Sequence, residues 1–163
     1  NLNRNWHVTL PMWSLGTHED QIFAQSRTIV RSKSTDTSDI VEAMKQRRTA
    51  LSTGPIGDLA ITFKATSCGI GDTFMARKND ILKMTYRGLC TEEFGSLMDV
   101  TVYTGNLETR EETLLFHHSE MSDGFEIVQN FKVPGKSYLR LEISSDGSRW
   151  PGIYVSSPIW IEV

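Results

Sequence analysis

Two histidines stand side by side at His117-His118, and paired imidazoles are the first place to look for a metal. They lie in an alternating segment that reads as a β-strand, where neighbours point to opposite faces, so the rings could share an ion only across a bulge. Ser52, Ser119 and Ser122 are close in sequence to acids or histidines, yet none sits in a G-x-S-x-G turn with a positioned base and oxyanion hole. Gly69-Ile70-Gly71-Asp72 is glycine-rich but is followed by a β pattern, whereas a phosphate cradle of that type needs a helix N-terminus. It reads as a turn. Cys68 and Cys90 lack the C-x-x-C spacing of a zinc knuckle or a redox motif, and two buried free thiols are expected ahead of one disulfide. Trp150, Tyr154 and Trp160 crowd toward the C-terminus, where exposed rings could stack on the apolar faces of a sugar; core or interdomain packing is the preferred reading.

The elements that must position these residues are mostly strands. From Gly54-Pro55 onward the chain alternates in short segments: Leu59 to Ala65, Ile81 to Tyr86, Met98 to Tyr103, Thr113 to His117, Gly124 to Phe131, Ser137 to Ile143 and Ile159 to Val163. Turn-forming Gly, Asn, Asp and Pro separate them, as in Tyr103-Thr104-Gly105-Asn106 and Pro134-Gly135. Seven short strands with no helix between them have one apolar face each to bury, which predicts two packed sheets, an immunoglobulin-like antiparallel β-sandwich over residues 54–163. Leu139, Leu141 and Ile143 should face the core with Arg140 and Glu142 toward water, the reading of an edge or outer strand, and Ile159 and Ile161 should oppose Trp160 and Glu162.

Residues 1–53 have a mixed texture, with an apolar run His7 to Trp13, a short strand at Thr28-Ile29-Val30, and one helix. Ser38 or Asp39 is its predicted cap, because Asp39-Ile40-Val41-Glu42 has capping-box spacing; Ile40, Met44 and either Val41 or Ala43 supply its apolar stripe. Arg47 and Arg48 suit its last turn.

Composition narrows the partners. Seventeen Lys and Arg against 20 Asp and Glu give a formal charge of -3, no footprint for nucleic acid or anionic lipid. No apolar stretch approaches the roughly 20 residues that span a bilayer, and nothing at the start resembles a signal peptide, so a soluble chain, cytoplasmic or secreted, is expected. The opening Asn1 suggests a processed chain or a piece of a longer one.

Two segments carry a resemblance. Glu42-Ala43-Met44-Lys45-Gln46-Arg47-Arg48-Thr49-Ala50-Leu51-Ser52-Thr53-Gly54-Pro55 resembles the E-A-L-x-x-G-R-T-x-x-T-x-G-P passage that follows the barrel of the PHP (polymerase and histidinol phosphatase) superfamily of metal-dependent phosphoesterases. The closing Trp150-Pro151-Gly152-Ile153-Tyr154-Val155-Ser156-Ser157-Pro158-Ile159-Trp160-Ile161 resembles the A-x-S-N-P-I-W-I ending of the β domain appended to those enzymes, and Gly71-Asp72-Thr73 resembles its P-G-D-T turn. The resemblance implies that residues 1–53 are the C-terminal end of such a barrel, a strand, site loop and helix, and that 54–163 is the accessory β-sandwich domain. The family's last metal motif, Gly-Ser/Thr-Asp-x-His, aligns with Gly16-Thr17-His18-Glu19-Asp20, where His18 and Asp20 stand in exchanged order. Imidazole and carboxylate both ligate Zn²⁺, Mn²⁺ or Fe²⁺, so the implied metal residues are His18 and Asp20.

Three expectations follow. The leading one is a noncatalytic accessory domain that stabilises a parent phosphoesterase or positions its substrate, with the divalent metal (Zn, Mn or Fe) held by the parent's N-terminal barrel and no cofactor in the present chain. The second is a carbohydrate-binding module using Trp150, Tyr154 and Trp160, and the third is a phosphoesterase working through His18 and Asp20. Without a barrel around them, Trp6, Val8, Leu10, Met12 and Trp13 would fold onto the β domain, pair between copies or remain free of both; a homodimer through residues 1–20 is one expected outcome.

Overall fold

The computed structural model describes residues 26–122, 124–146 and 152–163. It is mainly β, with two sheets packed face to face and one α-helix among the described residues. The chain order is β1 (Arg27–Val30), α1 (Thr37–Lys45), β2 (Thr49–Ser52), β3 (Ile56–Phe63), β4 (Thr66–Gly69), β5 (Thr73–Met75), β6 (Ile81–Leu89), a 3₁₀ turn (Glu92–Phe94), β7 (Leu97–Asn106), β8 (Glu112–Ser119), β9 (Gly124–Lys132), β10 (Ser137–Ser145), β11 (Gly152–Ser156) and β12 (Ile159–Glu162). The smaller sheet runs β4-β3-β6-β9. No helix among the described residues is long and apolar enough to cross a membrane.

The larger sheet is organised by β10. One of its edges pairs with β7 from Ser137↔Asn106 to Ser145↔Leu97, and β7 continues to β8. The other edge is divided: Ser137–Leu139 pair with β12, and Glu142–Ser145 pair with β11. β10 is therefore a central strand and not the edge or outer strand that its alternation suggested. Arg140 and Glu142 face outward, but they are roofed by side chains from β8 and do not stand alone in water.

Alternation fixes the core. Leu139, Leu141 and Ile143 of β10, Val100 and Val102 of β7, and Ile159 and Ile161 of β12 are essentially inaccessible and meet Leu59, Ile61, Leu82, Met84 and Tyr86 from the other sheet. The cross-strand pair Gly57↔Gly88 leaves this inner face without side chains at one end, and Ile143, Tyr154 and Phe125 fill the room.

Among the described residues before Gly54, β1 and β2 belong to the larger sheet. β2 pairs with β1 on one side and with β11 on the other, through Tyr154↔Ser52, Val155↔Leu51 and Ser156↔Ala50. Thr53 N donates to the Ile153 carbonyl at 2.9 Å, and Ile153 N donates to Thr53 Oγ1 at 2.8 Å. β2, β4, β5 and β11 were absent from the alternation reading; each has at most five residues and is defined by its partner more than by its own pattern.

Helix α1 starts earlier than its capping-box signal. Asp36 is the N-cap, with extended backbone and no side-chain cap bond, while Ser34 Oγ bonds Asp39 at 2.8 Å and accepts from Asp36 N. Ala43 is buried and Ile40 half-buried, but Met44 is turned outward, so the stripe is narrower than expected. The helix ends in a Schellman arrangement: Arg48 N donates to the Ala43 carbonyl, Arg47 N donates to the Met44 carbonyl, and Arg47 sits at φ 59°, the left-handed position usually given to glycine.

Candidate functional site

The residues singled out by sequence separate widely. His18, Asp20 and Trp150 lie outside the described residues. Tyr154 is fully buried beneath Gly57 and has no free face for a sugar; its hydroxyl has no hydrogen-bond partner among the described residues, and burial pushes its pKa above the ordinary phenol range. This removes Tyr154 from the alternative of a stacking platform and leaves it with core packing, the preferred reading of the sequence. Trp160 is half-buried on the outer face of the larger sheet and meets Tyr138 edge-on, with ring centroids 5.5 Å apart. Ser52 is a turn residue, since its hydroxyl donates to the Pro55 carbonyl and accepts from Gly54 N.

The two histidines point to opposite faces, as strand geometry requires. His118 Nε2 faces inward, 2.7 Å from the Tyr86 hydroxyl, whereas His117 lies outside against Thr101 (3.2 Å) and Asp99 (3.5 Å). A bulge does occur in β8, at Leu115, where the register with β7 shifts. It precedes the pair and turns Leu115 and Phe116 toward the core without bringing the imidazoles together. Among the described residues, no three His, Cys, Asp or Glu side chains converge on a point where a metal could sit. Cys68 is a free thiol, and Cys90 Sγ donates to the Thr91 carbonyl at 3.7 Å.

A charged constellation covers the outer face of the larger sheet. Arg140 Nε and Nη2 pair with Glu112 at 2.7 and 2.6 Å, Nη1 pairs with Glu142, and the guanidinium lies 4.3 Å above the Tyr103 ring. Tyr138 also donates to Glu112 at 2.6 Å. Hydrogen bonding from Arg140 holds the Glu112 carboxyl below its usual range, and the same bond to Glu112 raises the Tyr138 hydroxyl. Every guanidinium nitrogen is engaged by a carboxylate, so three of the five N–H donors are spent within a cluster that braces β8, β7 and β10.

Donors are left over at the opposite edge of the sandwich. Arg31 follows β1, Arg48 precedes β2, and Arg31 N donates to the Arg48 carbonyl at 2.8 Å, so sheet pairing sets the two guanidiniums side by side. The β4–β5 turn faces them. There Asp72 Oδ2 accepts from Gly69 N at 2.9 Å, closing an Asx turn, and Asp72 Oδ1 accepts from Arg48 Nε at 2.8 Å. Arg31, Ser32, Lys33, Arg48, Ser67, Cys68, Gly69 and Asp72 enclose an open cleft of about 350 Å³.

Three cations thus share a cleft with one carboxylate. Arg31 is held loosely, 3.7 Å from Asp58, and its side chain is 43% exposed. Gly69 makes its position possible, because a Cβ there would lie 1.3 Å from Nη1. Arg48 spends Nε on Asp72, and its terminal nitrogens have no partner among the described residues. Lys33 forms no ion pair among the described residues, although it also borders a smaller recess containing Asp39 and Glu42 of α1. Cys68 is the nucleophilic atom nearest these cations, but burial and the Asp72 charge push its thiol up to about 11, so at neutral pH it stays protonated. The cleft is built to hold negative charge and lacks a thiolate to attack it.

Sequence reading missed this cleft because its residues come from four separate places in the chain, and Arg48 was assigned to the helix dipole. The one available signal was Arg31, Lys33 and Arg48 flanking two short strands that pair. Comparison with known proteins finds no matching family model and no matching curated protein.

Proposed function

We propose that this chain is a noncatalytic accessory β-sandwich domain, of immunoglobulin-like type, that serves a PHP-type metal-dependent phosphoesterase by fixing the position of its barrel and orienting its substrate. Zn, Mn or Fe chemistry would then belong to the barrel. The observation that carries the reading is the tie between β2 and β11: a segment resembling the exit from such a barrel is hydrogen-bonded into the sheet formed by the C-terminal strands. A neighbour joined through β1 and β2 would be held by sheet hydrogen bonds as well as by a covalent linker, which is what a positioning domain requires.

Two measurements test this. Amide hydrogen exchange should show β2 protected to the same degree as β11, because the two open together; fast exchange in β2 beside a protected β11 would remove the tie. Elemental analysis after loading with Zn²⁺, Mn²⁺ or Fe²⁺, with a phosphatase assay on the same samples, should show neither stoichiometric metal nor turnover. Turnover that disappears in a His18→Ala, Asp20→Ala variant would replace the accessory reading with an enzymatic one.

A further inference from the structure

We propose that the cleft between Arg31, Lys33, Arg48 and the β4–β5 turn is a binding site for a tetrahedral oxyanion, the phosphate or sulfate of a monoester. The inference goes beyond the accessory role and stands without it, because it rests only on the geometry of this edge of the sandwich.

Charge and donor chemistry select the ligand. Two planar guanidiniums present N–H donors in pairs, an arrangement that matches the oxygens of phosphate, sulfate or carboxylate. The ammonium of Lys33 and the hydroxyls of Ser32 and Ser67 supply donors from other directions, which suits a group with three or four oxygens better than a flat carboxylate with two. Ser32 Oγ donates to the Ser34 carbonyl and Ser67 Oγ to the Ile61 carbonyl, so each hydroxyl would have to rotate to reach a ligand. Asp72 is the one carboxylate lining the cleft, and its two oxygens are already bonded, one to Gly69 N and the other to Arg48 Nε. Asp58 competes for Arg31, but at 3.7 Å and with Arg87 bonded to it at 3.1 Å it does not saturate the guanidinium.

The size and shape of the cleft add a second selection. A volume of about 350 Å³ exceeds that of a bare oxyanion, so the organic part of an ester can enter with it. Its wall is mixed, with the Ser67 hydroxyl beside Gly69 and the aliphatic stems of Arg31 and Arg48, so it can take an alcohol portion that is polar on one side and apolar on the other.

The test is a heteronuclear NMR titration of the full chain with inorganic phosphate, phenyl phosphate, inorganic sulfate and acetate, each against chloride at matched ionic strength. Phosphate, phenyl phosphate and sulfate should produce saturable shifts confined to the amides of Arg31 to Lys33, Arg48, Ser67 to Gly69 and Asp72, and added NaCl should weaken them by screening. Acetate should bind at least about tenfold more weakly. In Arg31→Gln, Lys33→Gln the phosphate affinity should fall about tenfold or more, while Lys83→Gln on the exposed face of β6 should leave it unchanged. The spectrum itself reports folding; if the double variant is disordered, Lys33→Gln and Lys33→Arg carry the comparison, and only the former should lose affinity. Shifts that do not saturate, that scatter over the surface, or that persist in the charge-removed variants would overturn the proposal, as would acetate binding as tightly as phosphate.

Discussion

Placing a methyl group at Gly57 tests how closely the two sheets are fitted at their glycine window. Gly57 does not have the left-handed backbone that L residues avoid, so Gly57→Ala carries no backbone strain of that kind. By the unfolded-state argument alone the substitution would stabilise by about 0.4–1 kcal/mol. The structure predicts the opposite sign. A Cβ built at Gly57 lies 2.6 Å from Ile143 Cδ1 and 2.8 Å from Tyr154 Cε1, where ordinary carbon contacts need about 3.5–4.0 Å. Ile143 and Tyr154 are both buried in the core and cannot swing into solvent, so the sheets must shift, and overpacking of this kind costs about 1–3 kcal/mol. Ile143→Val removes Cδ1 and alone costs about 0.5–1.5 kcal/mol. In the double variant the alanine methyl occupies part of the vacated space, so the combined loss should be smaller than the sum by about 0.5–1 kcal/mol, the Tyr154 contact remaining as the uncorrected part. Equilibrium urea unfolding of the wild type, both single variants and the double variant measures this directly, with unchanged m-values as the check that all four unfold alike. Additivity, or a stabilising Gly57→Ala, would refute the claim that the glycine pair exists to admit Ile143.

Three shorter predictions accompany it. Arg47→Gly should raise stability by about 1 kcal/mol in the same urea assay, because the residue sits at φ 59° where a Cβ is penalised and its side chain makes no hydrogen bond or ion pair among the described residues. Cys68, with its thiol at about 11, should be thiolate in only about one part in a thousand at pH 8, so it should react with an aromatic disulfide reagent far more slowly in the folded protein than in urea. Glu112 has its folded pKa lowered by Arg140, so the unfolded chain takes up its proton first and the contribution of Glu112 is present above the ordinary carboxylate range and lost as pH falls through the folded value. Thermal melts should therefore show the gap between wild type and Glu112→Gln closing on acidification, and a gap that is constant with pH would exclude this linkage.

Much of the fold was legible where strands are long and bury one face. The alternation of Leu139, Leu141 and Ile143, and of Ile159 and Ile161, marked core positions that the structure buries completely. What alternation could not show was how many neighbours a strand has, since an inward face looks the same on an edge strand as on β10, which has three partners. Short strands escaped for a related reason: Thr66-Ser67-Cys68-Gly69 has no apolar rhythm, and its extended shape comes from pairing with β3. The helix cap was misplaced because Ser34, two residues ahead of Asp36, captured the Asp39 side chain that a capping box would have used. The cleft was illegible for a different reason. Its charges are joined only through the pairing of β1 with β2 and the Asx turn at Asp72, and no local spacing carries that information.

The divided edge of β10 also bears on the order in which the chain assembles. β2 finds its partner in β11, near the opposite end of the chain, so β1 and β2 cannot complete their sheet until β11 has been synthesised and has itself docked on β10. Within this sandwich they are made before the strands that hold them and are among the last secured, and until then their backbone donors and Leu51 are open to pairing with any other exposed edge. The antiparallel β3-β6-β9 set, whose hydrogen bonds all lie within the middle of the chain, closes without waiting for either end. Folding of this sandwich should accordingly be paced by its termini, and a chain lacking the last few strands should lose the order of its first ones as well.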